Sequence, residues 1–220
     1  MTAQPTIKLY LAPGACSLAP HILLREAGTS FEIERVSARN GLPEDFARIN
    51  PKKRVPVLVL DDQVITEVPA VMTAIAQMVP ERKLVGKNDL EVVRSYEWMN
   101  WLSGWLHGVG FGMLWRPQRY SDDEKVLPVI REKGRKTVEE AFEMLEGKLM
   151  DTLPYAVGDG FTVVDAYLFV FWRWGCDIGV DMEKRFPRYK ALVEKLVERE
   201  AVKKALAEEG IEALTGKAKM

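Results

Sequence analysis

The chain has 220 residues and a nearly balanced charge, 31 Lys and Arg against 32 Asp and Glu, for a formal net charge of −1. That balance leaves no surplus to attract nucleic acid or an anionic membrane surface, and neither partner is expected. A hydrophobic share of 47% suits a soluble chain of one or two domains, and two cysteines, Cys16 and Cys176, make no disulfide framework, as befits a reducing compartment.

Met1 to Pro5 carry neither a basic start nor an apolar run, so no secretory signal and a cytoplasmic location are expected. Ile7 to Leu11 alternates apolar and polar residues and reads as a strand. Ala12-Pro13-Gly14-Ala15 is turn chemistry, after which Leu18, Ile22, Leu23 and Ala27 recur at helical spacing until Gly28 closes the helix. Cys16 therefore falls at a strand-to-helix turn, with Ser17 at the expected N-cap. Backbone N–H groups at a helix start favour an anion, so a thiolate there, or an anion bound there, is expected to be stabilised. A plain buried cysteine is the other reading.

Phe31 to Val36 alternates again and reads as a second strand; strand, helix, strand points to a parallel pair with a crossover helix. A short polar helix over Glu44 to Ile49 precedes a hairpin of Val57 to Leu60 and Val64 to Thr66, turned at Asp61-Asp62. Pro69 to Met78 reads as a second long helix, with Pro69 expected at its first position and Val68 as the N-cap. Two apolar-faced helices can then cover one side of a four-stranded mixed sheet.

No convincing strand follows the polar linker from Pro80 to Lys87. A helix is expected from Asn88 to Arg116, with Trp98, Trp101, Leu102 and Trp105 at helical spacing and His107 near its end. The glycines of Gly108 to Gly112 follow a helix and not a strand, so they are no dinucleotide fingerprint. Another helix is expected from Asp123 to Leu149. The next begins at Thr162, which has the spacing of a capping box with Asp165. Val163 to Trp172 is apolar nearly all round, so this helix belongs in a domain centre, and the run is much shorter than a membrane span of about 20 residues. Trp172, Arg173 and Trp174 could add a wall with a charge. Tyr189 to Leu196 and Val202 to Glu209 mark the last helices. The expected architecture is an α/β domain over residues 1–80 and an all-helical domain over 88–220.

Several fragments, in this order and at these separations, resemble the cytosolic glutathione transferases, closest to their bacterial-type beta class. They are Pro13 to Ala19, Asn50-Pro51-Lys52 leading to Val55-Pro56, Thr66-Glu67, Glu97-Trp98-Met99-Asn100, Leu106-His107 and Phe161 to Tyr167. Together they span almost the whole chain. The resemblance implies a thioredoxin-like α/β domain that binds glutathione as co-substrate, an all-α domain that binds a small hydrophobic electrophile, a homodimer, a detoxifying role and no metal. It further implies a cis Val55-Pro56 bond whose backbone pairs with the cysteinyl part of glutathione, and recognition of the γ-glutamyl end by Glu67 and the backbone of Val68. By the same resemblance Cys16 is the central catalytic residue, Ser17 the alternative donor and His107 a supporting group; Tyr10 matches an early tyrosine of the family.

The sequence also departs from the family pattern. Leu11 stands where a second tyrosine is common, and Val68-Pro69 where a small residue is usual. The loop from Ser37 to Pro43 is short, leaving Arg39 and Arg54 as the nearest basic contacts for glutathione. Cys16 could donate to the glutathione thiolate or form a mixed disulfide with it, while Cys176 is expected to be inert. A glutathione-dependent thiol–disulfide reductase and a non-catalytic glutathione-binding protein are the alternatives. Cys16-Ser17-Leu18-Ala19 lacks the second cysteine of dithiol chemistry.

Overall fold

The structure, a computed structural model, describes residues 6–37, 44–150 and 153–213. Strand β1 (Ile7–Leu11) lies second in a four-stranded sheet, between β2 (Glu32–Arg35) on one side and β3 (Val57–Leu60) on the other, with β4 (Gln63–Thr66) beyond β3. The β1–β2 pair is parallel, as its crossover helix α1 (Leu18–Ala27) requires, and the β3–β4 hairpin is antiparallel. Alternation along β1 sends Ile7, Leu9 and Leu11 into the core, where α1 packs against α2 (Val68–Met78). Residues 44–48 form a 3₁₀ turn.

Every described element after α2 is helical: α3 (Asp89–Trp101), α4 (Gly112–Trp115), α5 (Leu127–Lys148), α6 (Val163–Asp177), α7 (Met182–Arg185), α8 (Pro187–Val197) and α9 (Glu200–Glu209), besides short 3₁₀ turns. Helix α6 is buried from Val163 to Gly175, so it is the centre that its apolar run predicts. Asp165 anchors its start, accepting the Thr162 N–H at 2.7 Å and the Thr162 hydroxyl at 3.0 Å. Helix α1 packs on α6 and α9 as well as on α2, which seats the α/β unit on the helical one.

Strand ends shift by a residue, and α5 starts at Leu127 after a 3₁₀ turn over Glu124–Val126 and not at Asp123. Two differences from the sequence reading bear on the site. Helix α2 starts one residue early, with Val68 as its first residue and Glu67 as its N-cap. The side chain of Val68 is drawn into the core, and that burial outweighs the preference for proline at the first position. The expected single helix from Asn88 to Arg116 is three pieces: α3, a π-helical segment Leu102–Phe111, and α4. Hydrogen bonds running i→i+5 widen each turn and move the buried face onto Leu102, Leu106 and Gly110, so Trp105 turns outward and is 46% exposed. Gly134 of α5 lets this stretch pack closely, since a Cβ there would sit 2.5 Å from the Leu114 nitrogen.

Candidate active site

The turn after β1 is folded by its own short side chains. The Ser17 hydroxyl accepts the Ala12 N–H at 3.1 Å and donates to the Ala12 carbonyl at 3.2 Å. Ser17 is completely buried and caps no helical N–H with its side chain, so the structure spends its hydroxyl on the turn and not on a ligand. Gly14 takes the left-handed conformation, φ 73°, that closes this turn.

The turn presents Cys16 to the start of β3. Its thiol donates to the Val55 carbonyl at 3.4 Å, and the Val55-Pro56 bond is cis. Burial pushes the Cys16 thiol up to about 12, and the charge of Glu67 adds to this; the backbone N–H groups of Cys16 and Ser17 and the Arg54 charge pull the other way and lose. The Cys16 sulfur is thus held protonated, against the expectation of a stabilised thiolate, while the expectation of an anion bound at the helix start is untouched. Desolvation of a small buried anion outweighs a helix-start field that is partly spent inside the turn.

Arg54 and Val55 are set by Asn50, itself buried. Its amide donates to the Arg54 carbonyl at 2.7 Å and its carbonyl accepts the Lys52 N–H at 3.1 Å. Glu67 holds φ 73°, an uncommon backbone region for a residue with a side chain. Its carboxylate meets the Lys52 ammonium at 2.6 Å, which also reaches the Thr66 hydroxyl at 2.6 Å. At the start of α2 Pro69 has no N–H and Val71 donates to the Glu67 carbonyl at 2.9 Å, which leaves the N–H groups of Val68 and Ala70 without a partner inside the helix.

The helical domain contributes a hydroxyl relay. Tyr167 lies within 3.1 Å of the Ser103 hydroxyl and 3.4 Å of His107 Nδ1. Burial drives the Tyr167 hydroxyl far above its ordinary value, and negative charge on Cys16 or Glu67 drives it further, so it stays protonated. His107 is lowered to about 4, first by burial and then by the positive charges of Arg54, Arg119 and Arg116. At neutral pH it is an uncharged imidazole that can exchange a hydrogen bond but offers no cation to a thiolate. Trp174 stands 5.0 Å from the His107 ring, with Phe111 at 5.0 Å and Trp115 at 4.9 Å from Trp174.

Cys16 meets Val55 by a hydrogen bond, the charges of Arg54 and Glu67 act on both Cys16 and His107, and Trp174, beside His107, donates to the Gly14 carbonyl in the Cys16 turn. Tyr10 does not join them: it alternates away from the core face of β1 and packs edge-on against Phe46 at 5.7 Å. Arg39 lies outside the described residues. Sequence reasoning passed over Tyr167, whose hydroxyl in an otherwise apolar run was the available signal, and over Arg116 and Arg119, which carry no motif. Among the described residues no group of His, Cys, Asp and Glu could hold a metal ion, and no helix is long and apolar enough to cross a membrane.

The family model described as glutathione S-transferase, N-terminal domain, matches residues 5–77, and that of the C-terminal domain matches residues 121–200. Glutathione S-transferase GstA of Escherichia coli O157:H7 is 35% identical over 212 residues, which cover 93% of this chain and 100% of the relative. A glutathione transferase homolog from Sulfitobacter, solved with bound glutathione, superposes with a TM-score of 0.87 at 26% identity, covering 94% of this chain and 99% of that one. The bacterial beta class enzyme of Sphingomonas chungbukensis gives 0.81 at 32% identity, covering 93% and 100%. With the mixed sheet, the helical second unit and the turn that carries Cys16, these matches lead to one conclusion: the chain belongs to the glutathione S-transferase family, in its bacterial type.

Proposed function

We propose that the chain conjugates the glutathione thiolate to a small hydrophobic electrophile, with Cys16 as a hydrogen-bond donor. The observation that carries this is the protonated Cys16 thiol donating to the Val55 carbonyl. Glutathione bound through its peptide backbone to Val55 competes for that carbonyl, and its thiolate is the stronger acceptor for the released S–H. A donor to the thiolate lowers the pKa of the bound co-substrate, which is the attacking species. Glu67 and the first N–H groups of α2 receive the γ-glutamyl end, and Arg54 receives the glycyl carboxylate. Val68 gives no side-chain oxygen here, so this end of the site has fewer donors than one with serine. The aromatic wall of Phe111, Trp115 and Trp174 faces the electrophile.

A thiol held at about 12 is a poor nucleophile, which weighs against disulfide reduction through Cys16. Turnover of 1-chloro-2,4-dinitrobenzene with glutathione, set beside reduction of a mixed disulfide, tests the reading. Aryl halide conjugation is expected to dominate, and Cys16→Ala to lower its kcat/KM about 10–100-fold, the worth of a hydrogen bond to a charged group. The pH profile should follow one ionisation, that of bound glutathione, because His107 at about 4 titrates below the working range. Disulfide reduction that dominates and vanishes in Cys16→Ala would establish the reductase instead. Binding of glutathione with neither activity would leave the non-catalytic reading.

The same reading includes two domains over 1–80 and 88–220, a cytoplasmic, detoxifying role and a homodimer that uses the first helices of the helical unit. Leu90 and Val93 on α3, 65% and 61% exposed, form an apolar row that supports this contact. Light scattering at micromolar concentration should give twice the 24.9 kDa chain mass. A mass near one chain throughout would remove the dimer.

A further inference from the structure

The site holds more positive charge than glutathione can use. Lys52 is matched by Glu67, but among the described residues no carboxylate pairs with Arg54, Arg116 or Arg119. Arg119 is itself lowered, by burial and then by the like charges of Arg54 and Arg116, so the three guanidiniums share one field. All three act on His107.

Their placement is built. Arg116 follows Trp115 directly, and its N–H donates to the Gly112 carbonyl at 2.9 Å. The Arg119 N–H returns to the Arg116 carbonyl at 3.0 Å, which folds the two side chains into one short turn. The Tyr120 hydroxyl then pins that turn to the His107 segment through the Gly108 carbonyl at 2.7 Å. A Cβ on Gly112 would lie 2.7 Å from that hydroxyl, so the glycine keeps the space the pin needs. Beside the turn, Trp115 packs on Phe111 at 4.5 Å and leaves 44% of its surface open.

Glutathione brings two carboxylates. On the conjugation reading one goes to the corner of Glu67 and α2 and the other to Arg54, which leaves Arg116 and Arg119 on the turn that directly follows Trp115. We propose that the second substrate is an aromatic electrophile bearing an anionic group, its ring against Trp115 and its carboxylate or sulfonate on Arg116 and Arg119. This rests on the conjugation reading and names the substrate class of the same site. The reaction is unchanged: the glutathione sulfur forms the new C–S bond, and chloride leaves with the electrons of the broken C–Cl bond.

The test compares 4-chloro-3-nitrobenzoate with 4-chloro-3-nitrobenzamide, each kcat/KM divided by the uncatalysed rate with glutathione at the same pH. The benzoate should be preferred about tenfold or more, and less at high salt. Arg116→Gln/Arg119→Gln should bring the ratio close to one, and Arg119→Gln alone should lower it part of the way. In a second readout, 3-nitrobenzoate should inhibit turnover of 1-chloro-2,4-dinitrobenzene more strongly than 3-nitrobenzamide, and the double variant should erase the difference. Turnover of 1-chloro-2,4-dinitrobenzene with equal use of benzoate and benzamide would overturn the acidic substrate and leave conjugation standing. A preference that survives in the double variant would overturn the assignment to these arginines. No turnover of any aryl chloride would overturn the conjugation reading itself, and this proposal with it.

Discussion

Asp165→Ala is expected to lower the free energy of unfolding by about 3–5 kcal/mol, the sum of losses at three donors that the carboxylate now satisfies. Its oxygens accept the Ala156 N–H at 2.9 Å, the Thr162 N–H at 2.7 Å and the Thr162 hydroxyl at 3.0 Å, all where α6 enters the core. Alanine leaves those groups without an acceptor in a site closed to water. Asp165→Asn should recover part of the loss, because the amide, like the protonated acid, keeps one acceptor oxygen among these donors. Urea unfolding followed by circular dichroism measures both variants. The pH dependence is a second check. Burial pushes Asp165 up to about 6 from 3.8, so its contribution to stability is fully present below the lower value and is lost as pH rises through the higher. The wild type should therefore lose stability between about pH 4 and pH 6, and this component should be missing from the alanine variant.

The second large effect is expected at Glu209, on the last described helix. Its carboxylate is buried, 2.9 Å from Nδ1 of the fully buried His21, and it accepts the Gly14 N–H at 2.8 Å. Removing one partner of a buried charged contact costs about 3–5 kcal/mol, and Glu209→Ala should fall in that range. Glu208, on the other ring nitrogen of His21, is partly exposed and shared with Arg25, so solvent screening should hold Glu208→Ala below about 1 kcal/mol. A purely structural loss would stop at stability. Because Gly14 lies two residues before Cys16, Glu209→Ala should also raise the KM for glutathione several-fold. An unchanged KM in folded protein would show that the Cys16 turn holds its shape without α9.

The strands, α1 and α6 were legible in the sequence because each rests on local pattern, whereas the cis Val55-Pro56 beside Cys16 came only from the family resemblance. What was not legible depends on partners distant in the chain. Ser17 looks like a cap until its hydroxyl is seen tied to Ala12. Cys16 looks like a thiolate until its burial is known, since periodicity does not measure desolvation. The π-helical stretch has the same apolar residues as an α-helix, and its close approach to α5, where a Cβ on Gly110 would lie 2.9 Å from the Val138 side chain, is not visible in local pattern. Arg116 and Arg119 read as ordinary solvated charges. The Tyr120–Gly108 contact, invisible in the sequence, ties their turn to the segment that carries His107.

Gly14 has one more consequence. Its N–H is held by Glu209 and its carbonyl by the Trp174 indole at 2.9 Å, so both sides of this residue rest on groups 195 and 160 positions away. During synthesis the sheet and its two covering helices leave the ribosome before Trp174 and Glu209, so the turn at their edge is finished only after α6 and α9 have emerged. Until then the Cys16 thiol can reach the Val55 carbonyl, but Gly14 has neither of its two holds. A chain cut short ahead of Trp174 would keep every residue of that first turn and neither of the two groups that hold Gly14.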